Sequence, residues 1–375
     1  MERALNGLAL TSLTLSHFRS HKRVALTCDA RPIAIYGANG AGKTNLLEAV
    51  SLLSPGRGLR RAGPDDLTRR PEALGWKVKG ILQSLHQMHE LETGAEAGQS
   101  RQVRIDEKSA AQIALGRVGR MVWLVPSMDR LWIEGADGRR RFLDRATLSF
   151  LPHHAEAALT YEKAMRERNR LLKDMVRDAQ WYVALEKQMA EAGAEITRNR
   201  QHAIAELMAG QAGAETAFPR AELSLTNANP IEGEGDADVL REALQDSRQR
   251  DLAAGRTLVG PHRADMAAVF TDKGVAAKDC STGEQKALLI SVILANARAV
   301  GRDFGAPPII LLDEVAAHLD AGRRAALYDE ICALGAQAWM TGTGPELFEE
   351  LGDRAQYIEV SEVDGASVAE QRTSP

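Results

Sequence analysis

Gly37-Ala38-Asn39-Gly40-Ala41-Gly42-Lys43-Thr44 fits the pattern G-x-x-x-x-G-K-[ST] at every position. Glycines let the backbone turn tightly and aim successive N–H groups at a phosphate. A helix opening directly after the loop adds its positive end. Lys43 can then reach the β- and γ-phosphates of a nucleotide, and the Thr44 hydroxyl can hold Mg2+. The apolar run Pro32 to Tyr36 enters the loop as a buried strand. Asn45 to Leu53 leaves it with helical spacing, placing Leu46, Leu47, Val50 and Leu53 on one side. Strand, glycine loop and helix in that order set the class as α/β.

Two later stretches extend the reading. Pro308 to Leu312 is a short apolar strand ending in Asp313-Glu314. Two carboxylates at the end of a buried strand are costly unless they have work to do. Asp313 is placed to bind Mg2+ and Glu314 to polarise a water. Shortly upstream, Ser281-Thr282-Gly283-Glu284-Gln285 opens a helix. Its Ser-x-x-Glu spacing is a capping box, and the same geometry can sense a γ-phosphate. Both readings can hold at once. Together the three stretches imply an ATPase whose site is completed by a second copy of itself.

The order also resembles the ABC-type ATPases. That resemblance implies an ABC-type P-loop ATPase head, discontinuous in sequence, with an inserted helical lobe. Ser281, Gly283, Glu284 and Gln285 look like the ABC signature, which in that class faces the nucleotide on the opposite subunit. Asp320 stands at the D-loop position, and Gln83 is a candidate for the Q-loop glutamine. Thr341 and Thr343 stand where many of these ATPases carry a switch histidine.

A finer resemblance is to the RecF family of bacterial recombination mediators. Phe18-Arg19, Arg139-Arg140-Arg141-Phe142-Leu143-Asp144, Arg168-Asn169 before Leu171-Leu172, and Gly260-Pro261-His262-Arg263 all look like stretches of that family, in its order. The resemblance implies that Arg19 helps hold the nucleotide and that ATP pairs two heads around duplex or gapped DNA. It further implies weak, DNA-stimulated ATP hydrolysis, work with RecR and RecO in loading RecA, and a place in DNA replication, repair and the SOS response.

The bulk numbers agree with this reading without showing it. The 375 residues carry a formal net charge of −4, so DNA contact requires a local basic face. Arg57, Arg60 and Arg61, and then Arg139, Arg140 and Arg141, are the candidates. Any one of them reads better as part of a solvated face, and only the clusters taken jointly are equally readable as a DNA contact. Cys28, Cys280 and Cys332 have no paired or metal-type spacing and read as reduced thiols of a cytoplasmic protein. His262 reads as a hydrogen-bonded turn residue, since no other ligand lies at metal spacing. No apolar run approaches the ~20 residues a membrane helix needs, and Ala287 to Ala297 reads as a buried helix.

The expected division is a head from 1–120 and 256–375 around a mainly helical lobe at 121–255. Long helices are expected between His153 and Ala212. Thr93 to Gln99 reads as a polar turn, Thr257 to Val259 as a strand, and the tail from Gly365 as frayed. Two alternatives stay open: the ATPase subunit of a membrane transporter, and a P-loop kinase acting on a small molecule.

Overall fold

Short all-apolar runs need cover on both faces, and in this chain they become the parallel strands of a central sheet. The computed structural model describes residues 7–227, 229–315 and 319–374. The chain divides into two units, a head (Met1–Asp129, Ala209–Arg220, Ser281–Pro375) and a lobe (Arg130–Met208, Ala221–Cys280). The boundaries expected at 120/121 and 255/256 are therefore corrected. Residues 121–129 and 209–220 belong to the head, and residues 256–280 to the lobe. The strand at 121–124 pairs inside the central sheet, which is why the head reaches past residue 120.

The head opens with β1 (Gly7–Phe18), β2 (His21–Thr27) and β3 (Ile33–Tyr36), followed by α1 (Lys43–Ser51) and the single turn α2 (Pro64–Leu67). Then come β4 (Trp76–Leu85), β5 (Gln87–Ala95), β6 (Gln102–Ile105), β7 (Lys108–Ser109), α3 (Leu115–Val118) and β8 (Met121–Leu124). Strands β2-β1-β4-β5-β6-β7 form an antiparallel sheet. The expected polar turn at Thr93 begins only after Ala95. Leu91, Thr93 and Ala95 alternate inward, so this polar stretch is the second half of β5.

In the lobe, α4 (Ala136–Phe150), α5 (His154–Lys173) and all of α6 (Gln180–Gln211) but its last three residues precede β9 (Ala221–Asn227), α7 (Ala237–Asp246), α8 (Arg248–Ala254), β10 (Ala264–Phe270) and β11 (Val275–Ala276). The lobe thus carries a three-stranded sheet, β11-β10-β9, beside its helices. The strand expected at Thr257 to Val259 is coil. Its backbone is claimed by tertiary contacts instead, Thr257 N–H donating to Asn169 Oδ1 at 2.8 Å.

The chain returns to the head with α9 (Thr282–Asp303), β12 (Ile309–Leu312), α10 (Ala321–Leu334), β13 (Ala338–Gly342), β14 (Gln356–Val363) and β15 (Ala366–Arg372). The second sheet runs β15-β14-β3-β13-β12-β8, parallel throughout except for β15. The tail is therefore not frayed through residue 372. It is an antiparallel hairpin strand pairing Tyr357 to Val363 with Arg372 to Ala366.

One core joins the two sheets. Leu8, Leu10, Leu13 and Leu15 of β1 cluster with Leu46, Leu47 and Val50 of α1 and with Ile35, Leu311 and Trp339. A register shift between Leu10 and Ser12 interrupts the β1–β4 pairing. The fully buried Gln337 satisfies the backbone there, accepting from Leu10 N–H at 2.9 Å and donating to its carbonyl at 3.0 Å. No described helix is long and apolar enough to cross a membrane.

The lobe is organised around buried charge. Arg168 is fully buried and donates to Asp251 (2.7 Å), Glu186 (3.1 Å), Thr257 Oγ1 (2.9 Å) and the Leu244 carbonyl (3.1 Å). His262 behaves as a turn residue. Its Nε2 lies 3.1 Å from the Thr257 carbonyl and its Nδ1 2.8 Å from the Tyr161 hydroxyl, and burial pushes its pKa down to about 4. Removing one member of a buried ion network strands the others. Arg168→Leu is expected to lower lobe stability by about 3 kcal/mol in urea unfolding, with the head transition unchanged.

Candidate functional site

The parallel strands end in one crevice, where α/β sheets place ligands. Tyr36 of β3 leads into the glycine loop, Leu312 of β12 into Asp313-Glu314, and β13 ends at Thr341-Gly342. Gly37, Gly40 and Gly42 take φ of 148°, 84° and 108°, values that β-carbons disfavour. Ala38, Asn39 and Gly40 are exposed at the loop's crest, while Ala41 is buried. No side chain caps α1 at Gly42, which leaves the N–H groups of its first turn available to an anion.

Lys43 is 4% exposed, and its ammonium donates to the carbonyls of Gly37 (2.7 Å) and Ala38 (2.8 Å). Burial lowers its pKa, while the nearby Glu314 and Asp313 carboxylates act to raise it. Thr44 Oγ1 donates to Asp313 Oδ1 at 2.8 Å. Residues far apart in sequence thus meet as a pair of hard oxygen donors, the chemistry Mg2+ requires. The glycine cradle, the buried ammonium and this pair fit ATP with Mg2+.

Thr341 completes the cluster. Its hydroxyl donates to the same Asp313 oxygen at 2.8 Å and accepts from the Glu314 N–H at 2.9 Å. Glu314 is half-buried with φ of 54°, a strained conformation for a side-chain-bearing residue. Sequence reading noted Thr341 only as a missing histidine. The signal available was a hydroxyl at the end of a buried strand, which is too common to single out.

Ser281 caps α9 as expected. Its Oγ donates to Glu284 Oε2 (2.8 Å) and accepts from Glu284 N–H (3.4 Å). Ser281, Thr282 and Gly283 are exposed, and a Cβ at Gly283 would meet no atom within 4 Å. Gln285 instead is buried in α9. Asp320 is exposed and caps α10, accepting from Arg323 N–H at 2.9 Å. Residues 316–318, between Glu314 and Asp320, lie outside the described residues.

Several expected site residues have other partners in this structure. Gln83 is buried in β4 opposite Ala9, whereas Phe18 at the other end of β1 pairs with His21, whose ring reaches the Gly42 carbonyl of the glycine loop. Nine residues of strand, about 30 Å, separate those ends, so Gln83 is not brought to the crevice. The Arg19 guanidinium is held by the fully buried Glu48 at 2.7 and 2.9 Å and donates to the Asp66 carbonyl. Arg139 is committed inside the lobe, gripping both Asp265 oxygens (2.7 and 2.8 Å) and the Leu131 carbonyl. Arg140 donates to the Ala264 carbonyl at 2.8 Å, and Arg141 pairs with Asp137. Arg60 donates to Asn45 at 3.0 Å. Arg57 and Arg61 are exposed and make no ion pair among the described residues.

Comparison with known proteins follows the same lines. Residues 12–113 match the family model of the AAA domain. The DNA replication and repair protein RecF of Rhizobium rhizogenes (strain K84) is 44% identical over 364 residues, covering 94% of this chain and 96% of the relative. RecF of Brucella abortus (strain 2308) is 45% identical over 371 residues, covering 96% and 97%. A solved structure of the recombination mediator protein RecF-ATPrS in the RecFOR pathway superposes with a TM-score of 0.85, covering 98% of this chain and 100% of that one at 24% identity. An Smc head domain from Pyrococcus furiosus, with an extended coiled coil and bound to the C-terminal domain of ScpA, superposes at 0.56, covering 97% and 96% at 18% identity. The fold is that of the ABC/SMC-type P-loop ATPase heads. Sharing this identity over nearly its whole length, the chain belongs to the RecF family of DNA replication and repair proteins.

Proposed function

We propose that this chain is an ATP-dependent, DNA-binding ATPase of recombinational repair, acting in the cytoplasm. The observation that carries the reading is the Thr44–Asp313 hydrogen bond, 2.8 Å long between the glycine loop and the acidic strand end. The loop N–H groups bind the phosphates, and the Lys43 ammonium exchanges its two carbonyl acceptors for phosphate oxygens. Mg2+ held by Thr44 and Asp313 supplies charge neutralisation at the phosphates. Glu314 takes the proton of the attacking water.

The exposed Ser281 and Gly283 support a role in trans, on the γ-phosphate bound by a second copy. ATP then joins two heads, with Asp320 beside the seam, and the pair closes on duplex or gapped DNA. Arg57 and Arg61 are the arginines left most accessible for phosphate contacts, which give affinity without sequence reading. Arg60, Arg140 and Arg141 are secondary candidates, since each already has an internal partner. Family membership supports cooperation with RecR and RecO in loading RecA, and DNA stimulation of slow hydrolysis. Its matches to DNA replication and repair proteins favour this reading over a transporter subunit or a small-molecule kinase.

Glu314→Gln is expected to bind ATP and to slow turnover about 10^2- to 10^4-fold, accumulating dimers in sedimentation; wild-type turnover would refute the assigned base. Ser281→Arg is expected to bind ATP as a monomer, and an ATP-induced dimer of that variant would remove the trans role. Thr341→Val leaves Asp313 and the Glu314 N–H each short of a partner. It is expected to reduce single-turnover hydrolysis about 10- to 100-fold while ATP still binds.

A further inference from the structure

We propose that the C-terminal hairpin β14–β15, together with His21, is a working part of the nucleotide site, with Ser367 and His21 as positioning residues that hold the glycine loop in its binding shape. The inference rests on the reading of Gly37 to Thr44 as an ATP site and extends it to residues that no sequence motif marks.

The hairpin braces the loop at both ends. A Cβ at Gly37 would lie 2.0 Å from the Val360 carbonyl oxygen, so the loop leaves β3 flush against β14. A Cβ at Gly42 would lie 2.4 Å from Ser367 Oγ and 2.7 Å from Ser20 Oγ. Those two hydroxyls are 2.6 Å apart, and Asn45, in the first turn of α1, donates to Ser20 Oγ at 2.7 Å. Ser367 N–H donates to the Ser20 carbonyl at 2.9 Å. Arg69 closes the same corner, donating to the carbonyls of Ser20 (2.9 Å) and Gly365 (3.0 Å).

His21 links the two halves. Its ring is fully buried, with Nε2 3.1 Å from the Gly42 carbonyl and Nδ1 3.2 Å from the Ser367 carbonyl. Both neighbours are acceptors only, so a neutral imidazole serves one at a time with its single N–H. The ring therefore sits between the final glycine of the loop and the hairpin, hydrogen-bonded to one carbonyl and packed against the other. Asp313, Glu314 and Thr341 stand on other strands and make none of these contacts. A loop that loses this brace must be ordered by the nucleotide, which weakens binding and leaves the chemical step intact.

The test compares Ser367→Ala, His21→Leu and His21→Gln with wild type, using a fluorescent ATP analogue for Kd and steady-state hydrolysis for kcat and KM. His21→Leu and Ser367→Ala are expected to weaken nucleotide binding about tenfold or more, with kcat within about twofold of wild type. The glutamine amide can still donate to Gly42, so His21→Gln is expected to recover most of the affinity. Should the buried leucine variant fail to fold, Ser367→Ala, altered by one hydroxyl, carries the test. The proposal is overturned if folded variants bind ATP like wild type, or if kcat falls while Kd holds. If wild type itself binds no ATP, the reading of the site fails, and this extension with it.

Discussion

One carboxylate oxygen gathers the functional end of the head. Asp313 Oδ1 accepts hydroxyls from Thr44 and Thr341, which come from α1 and β13. The carboxylate is 6% exposed, so those donors replace water it has lost. Their convergence fixes the glycine loop against the acidic strand end and sets Thr341 to hold the Glu314 backbone in its unusual conformation. A parallel order β3-β13-β12 is what allows three distant stretches to meet at a single atom.

The parallel sheet supplies rigidity beneath that point. Its inner strands β3, β13 and β12, and β8 beside them, are buried on both faces, and the core they share with β1 and α1 is continuous. Leu10 faces Leu82 just before the β1 irregularity, and Gln337 takes both of its backbone groups. A polar side chain is tolerable there because its amide is fully used: Trp339 Nε1 donates to the same Gln337 oxygen at 3.1 Å.

In the lobe, the family-like motifs serve architecture. Asp144 of the R-R-F-L-D stretch accepts from Arg200 at 2.7 and 3.0 Å, while His154 Nε2 lies 3.0 Å away. Arg200 and His154 hold the Asp144 carboxyl far below the ordinary range, against the opposing effect of burial. Arg168, Tyr161 and His262 form further buried contacts. Buried charges of this kind are poor sources of net stability, because desolvation offsets attraction, yet they penalise alternative packings heavily. The basic look of Arg139 to Arg141 in sequence therefore says little about DNA. Charge on a helix is visible in a sequence, but the carboxylate or carbonyl that neutralises it is not.

Local rules determined a large part of this protein from sequence alone. The glycine loop, the apolar strands at 33–36 and 309–312, the acidic strand end and the capping box at Ser281 each depend on residues within one turn or one strand. Their geometry follows from neighbours in the chain. Tertiary structure decided the rest. Strands β5 and β15 are polar and one-sided, so they become strands only when a partner pairs with them. Gln83 lies at the wrong end of an antiparallel ladder, a fact of register. Thr341, His21 and Ser367 reach the site through contacts spanning up to 347 residues of sequence, as between Ser20 and Ser367. Side-chain identity sets what a group can donate or accept, and the fold alone sets which group it meets.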